Sequence, residues 1–310
     1  MKLIAVGLGE IGRSAVTRGG VVDGVQVVAA VDPALAGQQL EGLTVLRSID
    51  DCHGVAADVA LVSTGSDLAT LAPLFVRLLE MRLHVVSTCE VLAFPWLSFP
   101  DLAHSLDLTA QRCGRALVAC GVNPGFAMDV LPSVIAQASS SIDRIQVVRK
   151  VDLSRRRPQL RAKLGVGMAA VEWTQLAKRG GLGHRGLLES AHLCADALGW
   201  KLEEAAFSRS PICEGATVIG VAERVDARTP HGQELELSLC FQVDGDDVDE
   251  VTVQGVPPIR VRCDGGLPGD TVTVARMLHV CRLAPRLRPG LRLPTEVPIA
   301  ATDGNGQADE

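Results

Sequence analysis

Residues 3–16 read LIAVGLGEIGRSAV, and this stretch decides the fold. An apolar run suited to a strand gives way to Gly7, Gly9 and Gly12 in G-x-G-x-x-G spacing, and a helical pattern opens at Glu10 and Ile11. The glycines serve a tight turn, the close approach of a diphosphate and close helix packing, while the helix N-terminus attracts the anion. Spacing alone is weak, because glycine-rich strand ends are common. Context strengthens it. The next apolar run, VQVVAAVD (25–32), ends in Asp32, at the distance where a ribose-binding acid is expected. A carboxylate there accepts from a ribose 2′-hydroxyl and repels a 2′-phosphate, which favours NAD(H) and leaves NADP(H) second. The alternative is that Asp32 caps the turn before Pro33.

Outward from this stretch the pattern repeats. DVALVST (58–64), LHVVST (83–88) and RALVAC (115–120) are apolar enough for strands buried on both faces. IGRSAVTRG, LATLAPLFVRLLEM and FPDLAHSLDLTAQRCG carry helical periodicity between the strands. Strict alternation predicts an α/β doubly wound parallel sheet over residues 1–125, closed by the breaker Asn123-Pro124-Gly125. Residues 126–268 change texture. A helix (AMDVLPSVIAQA), a strand with a basic sequel (RIQVVRKVDLSRRR) and two helices ending at ADALGW precede alternating runs. ATVIGVAERVDA and ELELSLCFQV flank the turn-rich RTPHGQ, and VDEVTVQG and PIRVRC continue as a meander. A second α+β domain with a mostly antiparallel sheet is expected. DTVTVARMLHVCRLA reads as a helix, and 269–300 is expected to pack back on the first domain. The polar tail ATDGNGQADE (301–310) is expected to be disordered.

Bulk properties exclude several classes. The chain of 310 residues is 47% hydrophobic, enough for a large core, and its net charge of -6 gives no general attraction to nucleic acid. No apolar stretch approaches the roughly 20 residues that cross a bilayer. MKLIAVGLGE enters a strand pattern at once, so no leader peptide is expected. The nine cysteines are scattered without C-x-x-C or paired histidines, which points to reduced thiols in the cytoplasm and to no metal site. Tyrosine is absent, so no tyrosine acid is available.

One residue is out of place. HVVSTCEVLAFPW (84–96) is apolar yet delivers a carboxylate, Glu90, at a strand end. A charge in such surroundings needs a partner or a task. It is either a catalytic group or an ion pair or helix cap. Thr88 and Ser87 precede it and either orient it or a nicotinamide amide, or have no role. Cys89 has no base nearby and reads as packing. Ser66 in STGSDLA either touches a cofactor or caps the following helix. The acidic DGDDVDE lacks the glycine and terminal glutamate of a calcium loop and reads as a solvated turn.

These stretches together resemble the 2,4-diaminopentanoate dehydrogenase family and its amine dehydrogenase relatives, whose N-terminal domain is akin to that of dihydrodipicolinate reductase. The matching blocks are GLGEIGRSAV, AAVDPALAGQQL, ADVALVSTGSDLATLAP, HVVSTCEVLAFPW, GVNPGFAMDVLP, the VRKVDLSRRR segment and GHRGLLESAHLCADALGW, with GDTVTVARMLHV weaker. The resemblance implies a Rossmann domain plus an α+β substrate-binding and dimerisation domain over 126–268, a homodimer, and reversible oxidative deamination of an amine or reductive amination of a ketone with ammonia. It implies that Glu90 faces the reacting carbon. Asn123 then holds the substrate or the nicotinamide region by its amide and Phe126 walls the pocket, although they also read as a turn residue and a core aromatic. Arg149 and His184 match positions that bind the substrate's far polar end, while the neighbouring basic run and the glycines before His184 admit solvated or capping roles. Val151 departs from the polar residue expected in the diamino-acid enzymes, which leaves room for a less polar amine. Two other readings remain: an imine reductase like dihydrodipicolinate reductase, whose paired histidines and Ser-Gly-Thr loop are missing after VRK, and a non-catalytic NAD(H) sensor.

Overall fold

The computed structural model describes residues 1–19, 24–154 and 156–298; the tail at 301–310 lies outside the described residues. The chain forms two compact units, Met1–Gly121 together with the segment from Thr273 onward, and Val122–Val272. The division thus falls a few residues before the expected boundary at 125. Asn123 and Gly125 belong to the second unit because their hydrogen bonds run to His184, Ser190 and Asp129.

The first unit begins with β1 (Lys2–Val6), α1 (Glu10–Gly19) and β2 (Gln26–Val31), then a two-residue hairpin of β3 (Gln39–Leu40) and β4 (Leu43–Thr44). β5 (Val59–Val62), α2 (Leu68–Glu80), β6 (His84–Ser87), α3 (Pro100–Cys113) and β7 (Ala116–Ala119) follow. β5, β6 and β7 are buried at every residue, as expected of parallel strands covered on both faces.

The second unit contains α4 (Val130–Ala136), β8 (Ser141–Asp152), α5 (Pro158–Lys163), α6 (Ala170–Lys178) and α7 (Leu187–Ala197). It continues with β9 (Glu204–Glu214), β10 (Thr217–Arg228), β11 (Glu234–Gln242), β12 (Val248–Val256) and β13 (Ile259–Asp264). The strands form one sheet in the order β13-β12-β8-β11-β10-β9. The expected simple meander is corrected here. β8 lies between β12 and β11 and runs parallel to β11, the other pairings being antiparallel. Ile145, Val147 and Val151 of β8 are the physical reason, since they occupy the middle of a core shared with Ala191 and Cys194 of α7 and Trp173 of α6. β9 has no counterpart among the expected strands. It is an edge strand with Pro211 inside it and most residues exposed or half-exposed, so it lacks an apolar alternation.

α8 (Gly269–Leu283) then leads to β14 (Gly290–Arg292), which pairs parallel with β7 and completes a sheet of order β14-β7-β6-β5-β1-β2. Val274, Met277, Leu278 and Cys281 of α8 share a core with Leu3, Ala15, Val59 and Leu61. Burying a side chain of the Leu or Met type contributes roughly 1.5–3 kcal/mol, so this helix is an integral part of the unit. Strand order reverses between β1 and β5, and open α/β sheets bind ligands outside the carboxyl ends at such a point.

One histidine joins two strands of this sheet. His84 is 8% exposed, and its Nδ1 accepts the Ala116 N–H at 3.1 Å. Burial and then Arg115 lower its pKa from 6.5 to about 4, against an opposing pull from Asp58. Between about 6.5 and 4 the unfolded chain takes up a proton that the folded chain refuses, so stability should fall with pH across that window. His84→Asn keeps an acceptor and removes the titration. In urea unfolding, the stability difference between wild type and variant should shift in the variant's favour as pH drops through the window. A difference that stays constant from neutral pH to 4.5 contradicts this.

Candidate active site

The glycine loop is built by exclusion. Gly7 has a φ of 86°, in the left-handed region, and its N–H reaches Val31 O at 2.9 Å. A Cβ at Gly12 would lie 1.9 Å from Gly7 O and 2.7 Å from Ser63 Oγ, and Ser63 Oγ donates to Gly7 O at 2.8 Å. At Gly9, by contrast, a Cβ would meet nothing within 4 Å, and the residue is exposed. The loop is therefore closed on its inner side and open outward, a shape that fits a diphosphate at the first turn of α1. Glu10 begins that turn on the exposed side, and Ile11 packs against the core.

Asp32 closes the loop from β2. Its Oδ2 accepts from Leu8 N at 2.8 Å and its Oδ1 from Ala34 N at 2.9 Å. The turn-capping role is thus present, and it does not exhaust the group. A carboxylate has about four lone-pair sites, which leaves acceptors for ribose hydroxyls. Ser66 does not cap α2. Asp67 does, accepting from Ala69 N at 3.2 Å, and Ser66 stands half-buried just before it.

Glu90 follows β6 at the same carboxyl edge. The strand ends because Cys89 N–H turns back to Ser87 Oγ at 3.1 Å, while Thr88 N–H pairs with Val62 O at 3.0 Å. Glu90 opens a short 3-10 turn, half-buried between the fully buried Cys89 and the buried Val91, Leu92 and Ala93. Cys89 is no nucleophile: burial foremost, with the charge of Glu90 adding, pushes its thiol up to about 11. Phe94 and Trp96 stack edge-to-face with centroids 5.7 Å apart just beyond. The Rossmann unit therefore gathers Gly7, Gly9, Glu10, Gly12, Asp32, Ser66, Thr88 and Glu90 along one edge of its sheet.

In the second unit, Asn123 and His184 come together. His184 Nε2 lies 3.1 Å from Asn123 O, and the Asn123 side chain meets Ser190 Oγ at 3.2 Å. Phe126, half-buried, begins the turn into α4 through its carbonyl to Leu131 N–H. His184 is held from behind. Glu223 Oε1 accepts from His184 N at 2.9 Å and Arg209 Nε at 2.7 Å, and Arg209 also donates to Leu182 O and His184 O.

Arg149 has partners of its own. It is 3% exposed, donates to Asp249 Oδ1 at 2.6 Å and to Leu267 O at 2.9 Å, and so has a partner for its charge within the protein. Burial lowers its pKa while Asp249 raises it. Val151, two residues on, is a core side chain. Asp249 and Glu223 were missed in the sequence, although a signal was there. Both sit on the inward stripe of alternating strands, Asp249 with Val251 and Val253, Glu223 with Val221 and Val225. A period-2 count finds such inward charges, but it does not name their partners.

The family model described as 2,4-diaminopentanoate dehydrogenase C-terminal domain matches residues 126–308. The chain belongs to this family. A 2,4-diaminopentanoate dehydrogenase from Acetoanaerobium sticklandii is 26% identical, over 96% of this chain and 94% of the relative. The fold of an amine dehydrogenase from Mycobacterium smegmatis superposes with a TM-score of 0.84 at 18% identity, covering 96% of each chain. GenD2 from gentamicin A biosynthesis, solved in complex with NAD, superposes at 0.55 with 17% identity over 85% of this chain and 72% of its own. Among the described residues no group of three or more His, Cys, Asp or Glu could hold a metal ion, and no helix is long and apolar enough to cross a membrane.

The Arg149 pairing makes a prediction of its own. Arg149→Met strands a buried carboxylate and should cost about 3–5 kcal/mol in urea unfolding, whereas Arg149→Met with Asp249→Leu should recover most of the loss. If Arg149→Met leaves stability unchanged and instead raises KM only for substrates bearing a carboxylate, the guanidinium serves the substrate and not Asp249.

Proposed function

We propose that this chain is an NAD(P)-dependent amine dehydrogenase, catalysing the reversible oxidative deamination of an amine and the reductive amination of a ketone with ammonia. The observation that carries this is Glu90, a carboxylate set among buried apolar residues at the carboxyl edge of a sheet whose glycine loop fits a dinucleotide. Family membership and the named relatives support the reaction class. A non-catalytic sensor has no use for such a group.

Ammonia arrives largely as ammonium and must lose a proton before it attacks a carbonyl; the later iminium is again cationic. Glu90 binds the first, accepts its proton and stabilises the second. The nicotinamide cofactor, when bound, supplies or accepts the hydride. Gly7, Gly9 and Gly12 accommodate its diphosphate, and Asp32 the adenosine ribose, so NAD(H) is preferred. Arg149 already has Asp249 as the partner for its charge, and Val151 two residues on is a core side chain. This favours an amine or ketone less polar than a diamino acid. We place the enzyme in the cytoplasm, where its nine free thiols stay reduced, and assign it as a homodimer.

Glu90→Gln keeps the shape and removes the basicity, so kcat for reductive amination should fall by about 10²–10⁴. NADH affinity and Tm, measured on the same preparation, should change little. Turnover above about a tenth of wild type is too much for the loss of a general base and removes Glu90 from catalysis. Asp32→Ala tests the cofactor side: it should weaken NADH binding by roughly 1.5–3 kcal/mol and improve relative use of NADPH. An unchanged preference contradicts the ribose assignment.

A further inference from the structure

The neighbours of Asn123 pose a hydrogen-bond problem with one good solution. Ser190, fully buried on α7, has its hydroxyl oxygen 2.7 Å from Asp129 Oδ2 and 3.2 Å from Asn123 Oδ1. A hydroxyl has one proton. Asp129 is at 0% exposure, and its carboxylate also accepts the N–H groups of Gly125 at 2.9 Å and Val130 at 2.7 Å. Donors converging in this way favour the charged carboxylate, and charge-assisted bonds are roughly twice as strong as neutral ones. The Ser190 proton therefore goes to Asp129. What Ser190 then turns toward Asn123 is a lone pair, and an amide oxygen opposite it leaves two acceptors with no proton between them. With the amide turned by half a rotation, Nδ2 donates to Ser190 Oγ and the conflict disappears. The two amide ends are nearly isosteric, and the network decides between them.

The other amide end is buried and has no hydrogen-bond partner among the described residues. We infer that Asn123 presents its carbonyl Oδ1 at this end as an acceptor for a ligand N–H, with Ser190 and Asp129 as the residues that position it. His184 contributes by donating from Nε2 to Asn123 O at 3.1 Å, which fixes the backbone from which the amide projects. An acceptor here recognises nitrogen, that of ammonium, amine or iminium, or of the cofactor's carboxamide. It does not recognise a ketone oxygen, which calls for the opposite amide orientation. The recognition role rests on the amine dehydrogenase reading; the orientation does not.

Neutron diffraction from the perdeuterated full-length protein tests the orientation directly. The amide deuterons should lie on the end facing Ser190, and the Ser190 deuteron should point to Asp129. Deuterons on the end facing away from Ser190 overturn the proposal, whether or not the chain turns over amines. Kinetics test the use. Ser190→Ala frees the amide and should raise KM for ammonia on the order of tenfold, the loss of one hydrogen bond to a charged group, with KM for the ketone within about twofold. If the ligand nitrogen is the carboxamide, the tenfold change appears in the Kd of NADH instead. Asn123→Leu, of similar size, should reproduce the same split and serves if Ser190→Ala does not fold. A variant that folds with all three constants unchanged, or with only KM for the ketone raised, overturns the role.

Discussion

No side chain can stand at position 12: a Cβ there would lie 1.9 Å from Gly7 O. The first helix can therefore approach the strand end closely enough for its first turn to face the switch point between β1 and β5. The consequences run along the whole carboxyl edge. Ser63 reaches across from β5 to Gly7 O, Asp32 reaches from β2 to Leu8 N–H, and Thr88 and Glu90 follow β6 on the same edge. The loop and the carboxylate after β6 are then parts of one arrangement, held by short side chains bonded to the backbone at Gly7 and Leu8. The loop and Glu90 are thus presented on the same sheet edge without rearrangement.

The second unit is governed by a different constraint, that a charge leaving water must find a partner. Three charged residues on the inward face of its sheet are buried, Arg149, Glu223 and Asp249. Two of them answer each other, and the third holds Arg209 and the backbone of His184. Each pairing has a structural outcome. Arg149 and Asp249 tie β8 to β12 and to the loop at Leu267. Glu223 and Arg209 clasp the glycine-rich turn that delivers His184 to Asn123 O. The charge of Arg149 is thereby neutralised within the protein.

The first unit was legible because its physics is local. Strands buried on both faces must be apolar throughout, and the five runs from LIAVGL to RALVAC correspond to β1, β2, β5, β6 and β7. The glycine loop was legible because sterics at Gly7 and Gly12 leave one residue type. Glu90 stood out because a carboxylate interrupts an apolar run. What sequence did not disclose was mostly pairing across distance. Nothing in RIQVVRKV says that β8 will insert between β11 and β12, and nothing near Arg149 says that its partner is 100 residues away. β9 escaped for a local reason, since an edge strand needs no apolar stripe. The Asp129–Ser190–Asn123 chain escaped because ordinary helix and turn residues acquire their meaning only when a buried α7 brings them together.

Transfer of nitrogen from ammonium to a ketone is what distinguishes an amine dehydrogenase from an alcohol-forming one. The direct measurement is mass analysis of the product formed from short ketones with NADH and ¹⁵N-labelled ammonium, alongside NADH consumption with and without ammonium. NADH oxidation that depends on ammonium, with the label in a primary amine product, is the predicted result. Ammonium-independent oxidation giving an alcohol, or no turnover of any ketone although NADH binds, would contradict it.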